Sequence, residues 1–214
     1  MRIENNYSVK AHNTFGINQI TKRFIEYSSA DELKELIKSG KLEQPFFHIG
    51  AGSNLLFVDD YEGTLLHSAI CYIHPVKETK DEVWVSVGAG TCWDDFVAHC
   101  VEKEWYGVEN LSLIPGEVGS AAVQNIGAYG VEVKDLLVSL KAINLLTGEE
   151  REFSNAECQY DYRYSCFKQP EMKVWAVVEV TFKLSKQPTF NLTYKGLLSE
   201  LGEQPYSLET IRKA

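Results

Sequence analysis

The chain has no basic excess, no CxxC pair, no apolar h-region behind its N-terminus and no uncharged apolar run long enough to cross a bilayer. Its 21 Lys and Arg against 30 Asp and Glu leave a formal charge of −9. Nucleic acid and anionic membrane surfaces are thereby disfavoured as partners, because both need a basic face. Small anions stay open as ligands, since backbone amides and one or two placed cations bind phosphate whatever the net charge. Five widely spaced cysteines, Cys71, Cys92, Cys100, Cys158 and Cys166, fit neither a zinc site nor a disulfide framework and read as reduced, mostly buried thiols. No metal site, export signal or membrane anchor is indicated, which points to the cytoplasm.

What is present suits an ordinary globular protein. A length of 214 residues allows one large domain or two small ones with a real core. Arg23 to Tyr27 reads as a strand, and Ser29 with Glu32 forms a capping box ahead of Leu33, Leu36 and Ile37, with Gly40 closing the helix. Pro45 to Ile49 is the next strand, followed by a glycine loop, a third apolar strand at Leu55 to Val58 and a turn over Asp59 to Gly63. Val83 to Val87 alternates as a half-buried strand. Thr91 and Asp94 form a second capping box before a helix whose stripe of Trp93, Phe96, Val97, Cys100 and Val101 faces the core. Trp93 is therefore packing and has no place in a site. Leu136 to Leu146 and Glu150 to Phe153 flank Thr147-Gly148-Glu149 as a hairpin. Ser154 and Glu157 cap a short turn, and Val174 to Leu184 has the β-rich composition of a central strand. The order of elements predicts an α+β chain in two lobes, residues 1–72 and 73–206, with 207–214 opening something further.

Two glycine-rich stretches need a ligand or a packing reason. Gly50-Ala51-Gly52-Ser53-Asn54 follows a strand, yet Leu55 stands where a dinucleotide fingerprint has its third glycine and no acidic residue lies about twenty residues on. A P-loop also fails, as no Gly-Lys-Ser/Thr follows. A nest of N–H groups for a pyrophosphate and an ordinary tight turn both remain. Asn110 to Glu132 holds Gly116, Gly119, Gly127 and Gly130 among small residues, uncharged between Glu117 and Glu132. Removing side chains lets a ring or phosphate reach the main chain, and equally lets a loop pack on its own sheet.

These stretches, with Asn13-Thr14-Phe15-Gly16, Gly50 to Phe57, Val87 to Gly90 with Trp93, Glu157-Cys158, Tyr162-Arg163-Tyr164-Ser165-Cys166-Phe167-Lys168 and Thr193-Tyr194, resemble the UDP-N-acetylenolpyruvoylglucosamine reductase family in order and spacing. The resemblance implies the two-lobed FAD-binding fold shared with p-cresol methylhydroxylase and vanillyl-alcohol oxidase, non-covalent FAD between the lobes, NADPH as co-substrate and a UDP-sugar as substrate. It places FAD against Gly50, Ala51, Gly52, Ser53, Asn54, Leu55, Ile114, Pro115, Gly116, Gly119, Ser120, Gln124, Asn125, Gly127, Ala128 and Tyr129. It makes Arg163 catalytic, stabilising charge on the substrate carboxylate, where the residues alone also allow an arginine stacked on tyrosine. Three neighbouring aromatics suggest a guanidinium held partly out of water. Tyr194 takes the substrate-binding position, or is a lobe-edge aromatic, and Lys195 departs from the glycine common after it.

The resemblance also marks a difference. The family's proton-donor serine, in an Asn-Ala-Gly-Ser-Phe-Phe-Lys-Asn-Pro segment, and its assisting C-terminal glutamate have no counterpart here. The expectation is a fragment without the substrate domain, a monomer unable to complete turnover, whose residues 1–70 are less stable than in a longer protein. Two other readings stay open: another non-covalent FAD oxidoreductase of the same fold, and a non-catalytic flavin-binding module. A histidine for covalent attachment is missing from the Gly50 loop, and His48 before it reads as a core residue.

Overall fold

The computed structural model describes residues 1–194, 196, 199, 201 and 205–214. The first sheet is built from β1 (Arg2–Ser8), β2 (Ile20–Tyr27), β3 (Phe46–Ile49) and β4 (Tyr61–Ser68), in the order β1-β2-β4-β3. β1 runs antiparallel to β2, whereas β4 is parallel to both β2 and β3. Parallel pairing needs a crossover. Helix α1 (Ala30–Lys38) supplies the one between β2 and β3, started by Ser29 Oγ accepting from Glu32 N at 3.1 Å, as the capping pattern predicts.

The second sheet contains β5 (Ile73–Glu78), β6 (Glu82–Gly88), β9 (Leu137–Asn144), β10 (Glu150–Ser154) and β11 (Trp175–Ser185), in the antiparallel order β10-β9-β11-β6-β5. A short hairpin of β7 (Gly127–Ala128) and β8 (Val131–Glu132) stands apart from it. Helices α2 (Trp93–Glu102), α3 (Val118–Gln124) and α4 (Leu208–Lys213) complete the described elements used below. β11 is central because it is apolar on both faces, as a strand covered twice must be. Val180, Phe182 and Leu184 enter the main core with Trp93 and Phe96, while Ala176 and Val178 join Leu33, Leu36 and Leu66 of the first half. That second cluster ties the two sheets together through shared apolar burial.

Three local expectations fail. Leu55 to Val58 is irregular rather than a strand, and Tyr61 to Gly63 belong to β4 instead of a turn. Leu55 and Phe57 find burial by packing on Val9, Phe24, Ile49 and Leu65, so the segment needs no strand pairing to satisfy its apolar side chains. Asp60 Oδ1 meanwhile accepts from Ile20 N at 2.7 Å, fixing the entry to β4 against β2. Nor does Thr91 cap α2. The helix starts after Cys92 with no side-chain cap. Thr91 Oγ1 instead accepts from Tyr72 N at 3.2 Å, and Asp94 accepts from Leu113 N and both Arg212 nitrogens, each at 2.7 Å. Tertiary partners outbid the local cap.

Trp93, Phe96 and Phe182 form a closed aromatic trio, with Phe96 and Phe182 stacked at 4.8 Å and Trp93 edge-on to each. All three are fully buried. Phe96→Ala should cost about 3–5 kcal/mol, the usual price of removing a buried ring, read as a lower urea midpoint at unchanged slope.

Candidate functional site

The loop after β3 and the helix α3 meet across the seam between the sheets. Ser53 Oγ donates to Pro115 O at 3.3 Å, and Asn54 Nδ2 donates to Gln124 Oε1 at 2.9 Å. Gly52 holds the loop in place: its φ is +71°, and a Cβ there would run into His12 O. Between them lies a cavity of about 430 Å³ lined by Gly50, Gly52, Ser53, Asn54 and Leu55 from the loop and by Gly119, Ser120 and Gln124 from α3. Eight of the expected cofactor residues thus face one space.

The others are placed differently. Ala51 sits within the loop but off the lining, and Pro115 and Gly116 support it from behind, Gly116 O accepting from Trp93 N at 3.0 Å. Ile114 packs half-buried on the main core. Asn125 is fully buried at the left-handed end of α3; it donates to Glu132 Oε2 and Asp161 O and accepts from Lys134 N. Its amide is fully used inside the protein. Gly127, Ala128 and Tyr129 form a separate hairpin whose turn residues, Tyr129 and Gly130, both have positive φ, the geometry of a type I′ turn.

Arg163 and Tyr194 border that hairpin. Arg163 Nη2 donates to Gly127 O at 2.9 Å, and Tyr194 stands edge-on to Tyr129 at 5.4 Å. Arg163 is exposed, not sheltered among the tyrosines as its neighbours suggested, because Tyr162 points to solvent, 77% exposed, and Tyr164 accepts from Gln169 Nε2. Lys168 connects the two parts: it lines the cavity, and its Nζ donates to Arg163 O at 2.6 Å. Leu113, Asn125, Tyr129 and Arg163 are four non-glycine residues in the left-handed region around this surface. Each costs of order 1 kcal/mol, and such strain gathers at functional sites. Lys195 lies outside the described residues.

Further lining residues carry no signal in the chain's order. Phe47, Trp175 and Val177 reach the cavity because β3 and β11 present them there, and Lys173 lies in the turn just before β11. Phe167 and Lys168 stand inside a quoted motif, and Glu117 inside the glycine stretch. His48 lines the cavity too, its Nε2 paired with the Tyr27 hydroxyl at 2.7 Å. Burial, and secondarily repulsion from His67, pushes its pKa down to about 4. The folded protein then refuses a proton that the unfolded chain accepts below about pH 6.5. His48 should therefore lower stability as pH falls from about 6.5 towards 4, and its ring signals in proton NMR should not move above about pH 5.

A family model described as FAD binding domain matches residues 21–154, which include both cavity-forming stretches and leave out Arg163 and Tyr194. UDP-N-acetylenolpyruvoylglucosamine reductase of Bacteroides fragilis (strain YCH46) is 53% identical over 212 residues, covering 99% of this chain and 64% of the relative. That of Porphyromonas gingivalis (strain ATCC 33277) is 44% identical over 215 residues, with the same coverage of 99% and 64%. The crystal structure of UDP-N-acetylenolpyruvylglucosamine reductase from Thermus caldophilus superposes with a TM-score of 0.72 at 27% identity, covering 88% of this chain and 64% of that one. The chain spans 64% of the length of the two curated relatives. With the matched segment running over more than half of the chain and through the cavity's glycine loops, this protein belongs to the FAD binding domain family.

Proposed function

We propose that this chain holds the FAD of a reductase that uses NADPH to convert UDP-N-acetylglucosamine enolpyruvate to UDP-N-acetylmuramate, a cytoplasmic step in peptidoglycan precursor synthesis. The observation that carries the reading is the convergence of three segments. The Gly50 loop and α3 enclose one cavity, and Lys168 joins its wall to Arg163. The relatives named above are reductases of this substrate class, which supports the choice of chemistry. A division into lobes 1–72 and 73–206 accords with the sheets, whose strands come from residues 2–68 and 73–185. On this reading the working unit is a monomer and its partner a UDP-sugar rather than a nucleic acid.

The residues present fit an elongated dinucleotide. The glycine turn offers main chain without side-chain bulk, Lys168 and Lys173 offer positive charge for a pyrophosphate, and Phe167 and Trp175 offer apolar wall. Bound FAD would supply the hydride relay between NADPH and the enolpyruvyl carbon. The chain's own part is to orient the substrate and balance charge. Arg163 is exposed, and its guanidinium rests on a neutral carbonyl, a weaker partner than a carboxylate. Exchanging Gly127 O for the substrate carboxylate would give a two-point contact that strengthens as negative charge develops there. Tyr194, next to Tyr129 at the same hairpin, would form the wall of the substrate position.

In the full-length reductase, Arg163→Ala should leave flavin reduction by NADPH within about twofold and slow transfer to the enolpyruvyl substrate by roughly 10²–10³, the scale of one lost charge-stabilising contact. Stopped-flow absorbance separates the two half-reactions, and an equal loss in both would remove Arg163 from this role. Lys173→Ala should weaken FAD binding by roughly 3- to 10-fold, as expected for one partly solvated charge-assisted contact, measured by equilibrium titration.

A further inference from the structure

A chain of three side chains crosses the seam at the cavity wall. His67, on β4, is 9% exposed. Its Nδ1 lies 2.9 Å from Glu26 Oε2 on β2, and its Nε2 lies 2.8 Å from Glu117 Oε1 at the start of α3. Glu117 lines the cavity, and its second oxygen, Oε2, would stand 3.2 Å from a Cβ placed on Gly50. The carboxylate therefore reaches the turn that begins the expected pyrophosphate nest.

Both ring nitrogens of His67 face carboxylate oxygens. A neutral imidazole has one N–H and could serve only one of them; the imidazolium donates to both. The surroundings agree. Burial opposes the charge on His67, but the two carboxylates outweigh it and raise its affinity for the proton. The His12 ring, on the segment after β1, sits edge-on to His67 at 5.0 Å, and His12 and His48 are both pushed down by burial and then by His67 itself. Arg2 of β1 stands 3.8 Å from Glu26. The Tyr27 and Cys71 protons, both near Glu117, are held more tightly by burial and by its charge. One of three clustered imidazoles thus carries the charge.

We propose that His67, clamped as an imidazolium between Glu26 and Glu117, is a positioning residue for the FAD cavity. It holds the Glu117 carboxylate at Gly50 and keeps two partly buried negative charges from facing the cofactor's pyrophosphate, so FAD binds more weakly once this proton is lost. The inference rests on the FAD reading of the cavity. With the proton the trio carries a charge of −1; without it the charge is −2 and one carboxylate has lost its donor. The sign follows from the raised affinity: the clamp is fully formed below about pH 6.5 and fades as pH rises through the folded value above it.

The test has two measurements on the purified 214-residue chain. In long-range ¹H–¹⁵N spectra without FAD, His67 should show both ring nitrogens protonated at about pH 7; a neutral ring would overturn the proposal without reference to the cofactor. FAD is then titrated by flavin fluorescence from about pH 6 to 8.5, for the wild type, His67→Gln and Glu117→Gln, with circular dichroism confirming the fold at each pH. Wild-type Kd should rise about tenfold across the range, as for one extra partly screened charge near an anion. Glu117→Gln, lacking the charge nearest Gly50, should bind FAD more tightly than the wild type at about pH 8.5, with its remaining pH dependence moved to lower pH because His67 keeps only Glu26; His67→Gln should bind weakly and equally at every pH. A wild-type Kd that does not change with pH, or matches that of His67→Gln, would overturn the clamp while leaving the FAD site intact. Absence of FAD binding at every pH, with the doubly protonated ring present, would instead overturn the reading of the cavity and with it the role given to His67.

Discussion

Main chain lies against main chain along the seam between the two sheets, and the cavity exists because of it. A Cβ on Gly88 or Gly90 would run into Ile70 O or Ser68 O, and one on Gly119 would stand 2.8 Å from Ala89 Cβ. The strand leaving the first sheet, the turn after β6 and helix α3 are therefore stacked at backbone distance. Their hydrogen bonds follow from this contact: Gly90 N donates to Ile70 O at 3.0 Å, Gly119 N to Ala89 O at 2.8 Å and Val118 N to Thr91 O at 2.9 Å. α3 is thereby carried to the mouth of the Gly50 loop, where Asn54 and Gln124 join them.

Beside the apolar cluster that joins the sheets, the seam at the cavity also takes in polar side chains, and these are paired. Glu26, His67 and Glu117 connect the first sheet to α3, while Tyr72 donates its hydroxyl to Glu179 on β11. Buried charge costs several kcal/mol per ion unless its hydrogen bonds are met. The imidazolium meets them for both carboxylates at once. Glu117 of this trio lines the cavity, so a group that stabilises the seam also sets the charge seen by a ligand. Fold and site share their electrostatics here.

Much of this architecture is legible along the chain. The Ser29 cap, the hairpin around Gly148 and the central β11 are local patterns that tertiary contacts reinforce. Leu55 to Val58 and Thr91 mislead because their partners are distant in sequence: Val9 and Phe24 for the first, Tyr72 for the second. In the site, the glycine loops are legible because backbone approach has a compositional mark. Trp175 and Phe47 have none, being brought to the cavity by strand register, and Lys173 has none either, being carried there by the turn before β11. Glu117 and His67 are unremarkable residues in the sequence, and only their meeting across the seam makes them a unit. Asn125 stands inside the glycine-rich motif yet its side-chain amide bonds Glu132, Lys134 and Asp161, because a fully buried amide has to meet its donors and acceptor inside the protein.

Amide hydrogen exchange on the chain with and without FAD tests the central claim, that the cofactor lies between the Gly50 loop and α3, most directly. The account predicts slower exchange on FAD addition in peptides spanning 50–55 and 116–124, with a smaller effect over 163–168. Protection confined to the separate groove bounded by Lys22, Glu43 and Thr64, or none at saturating FAD, would contradict it.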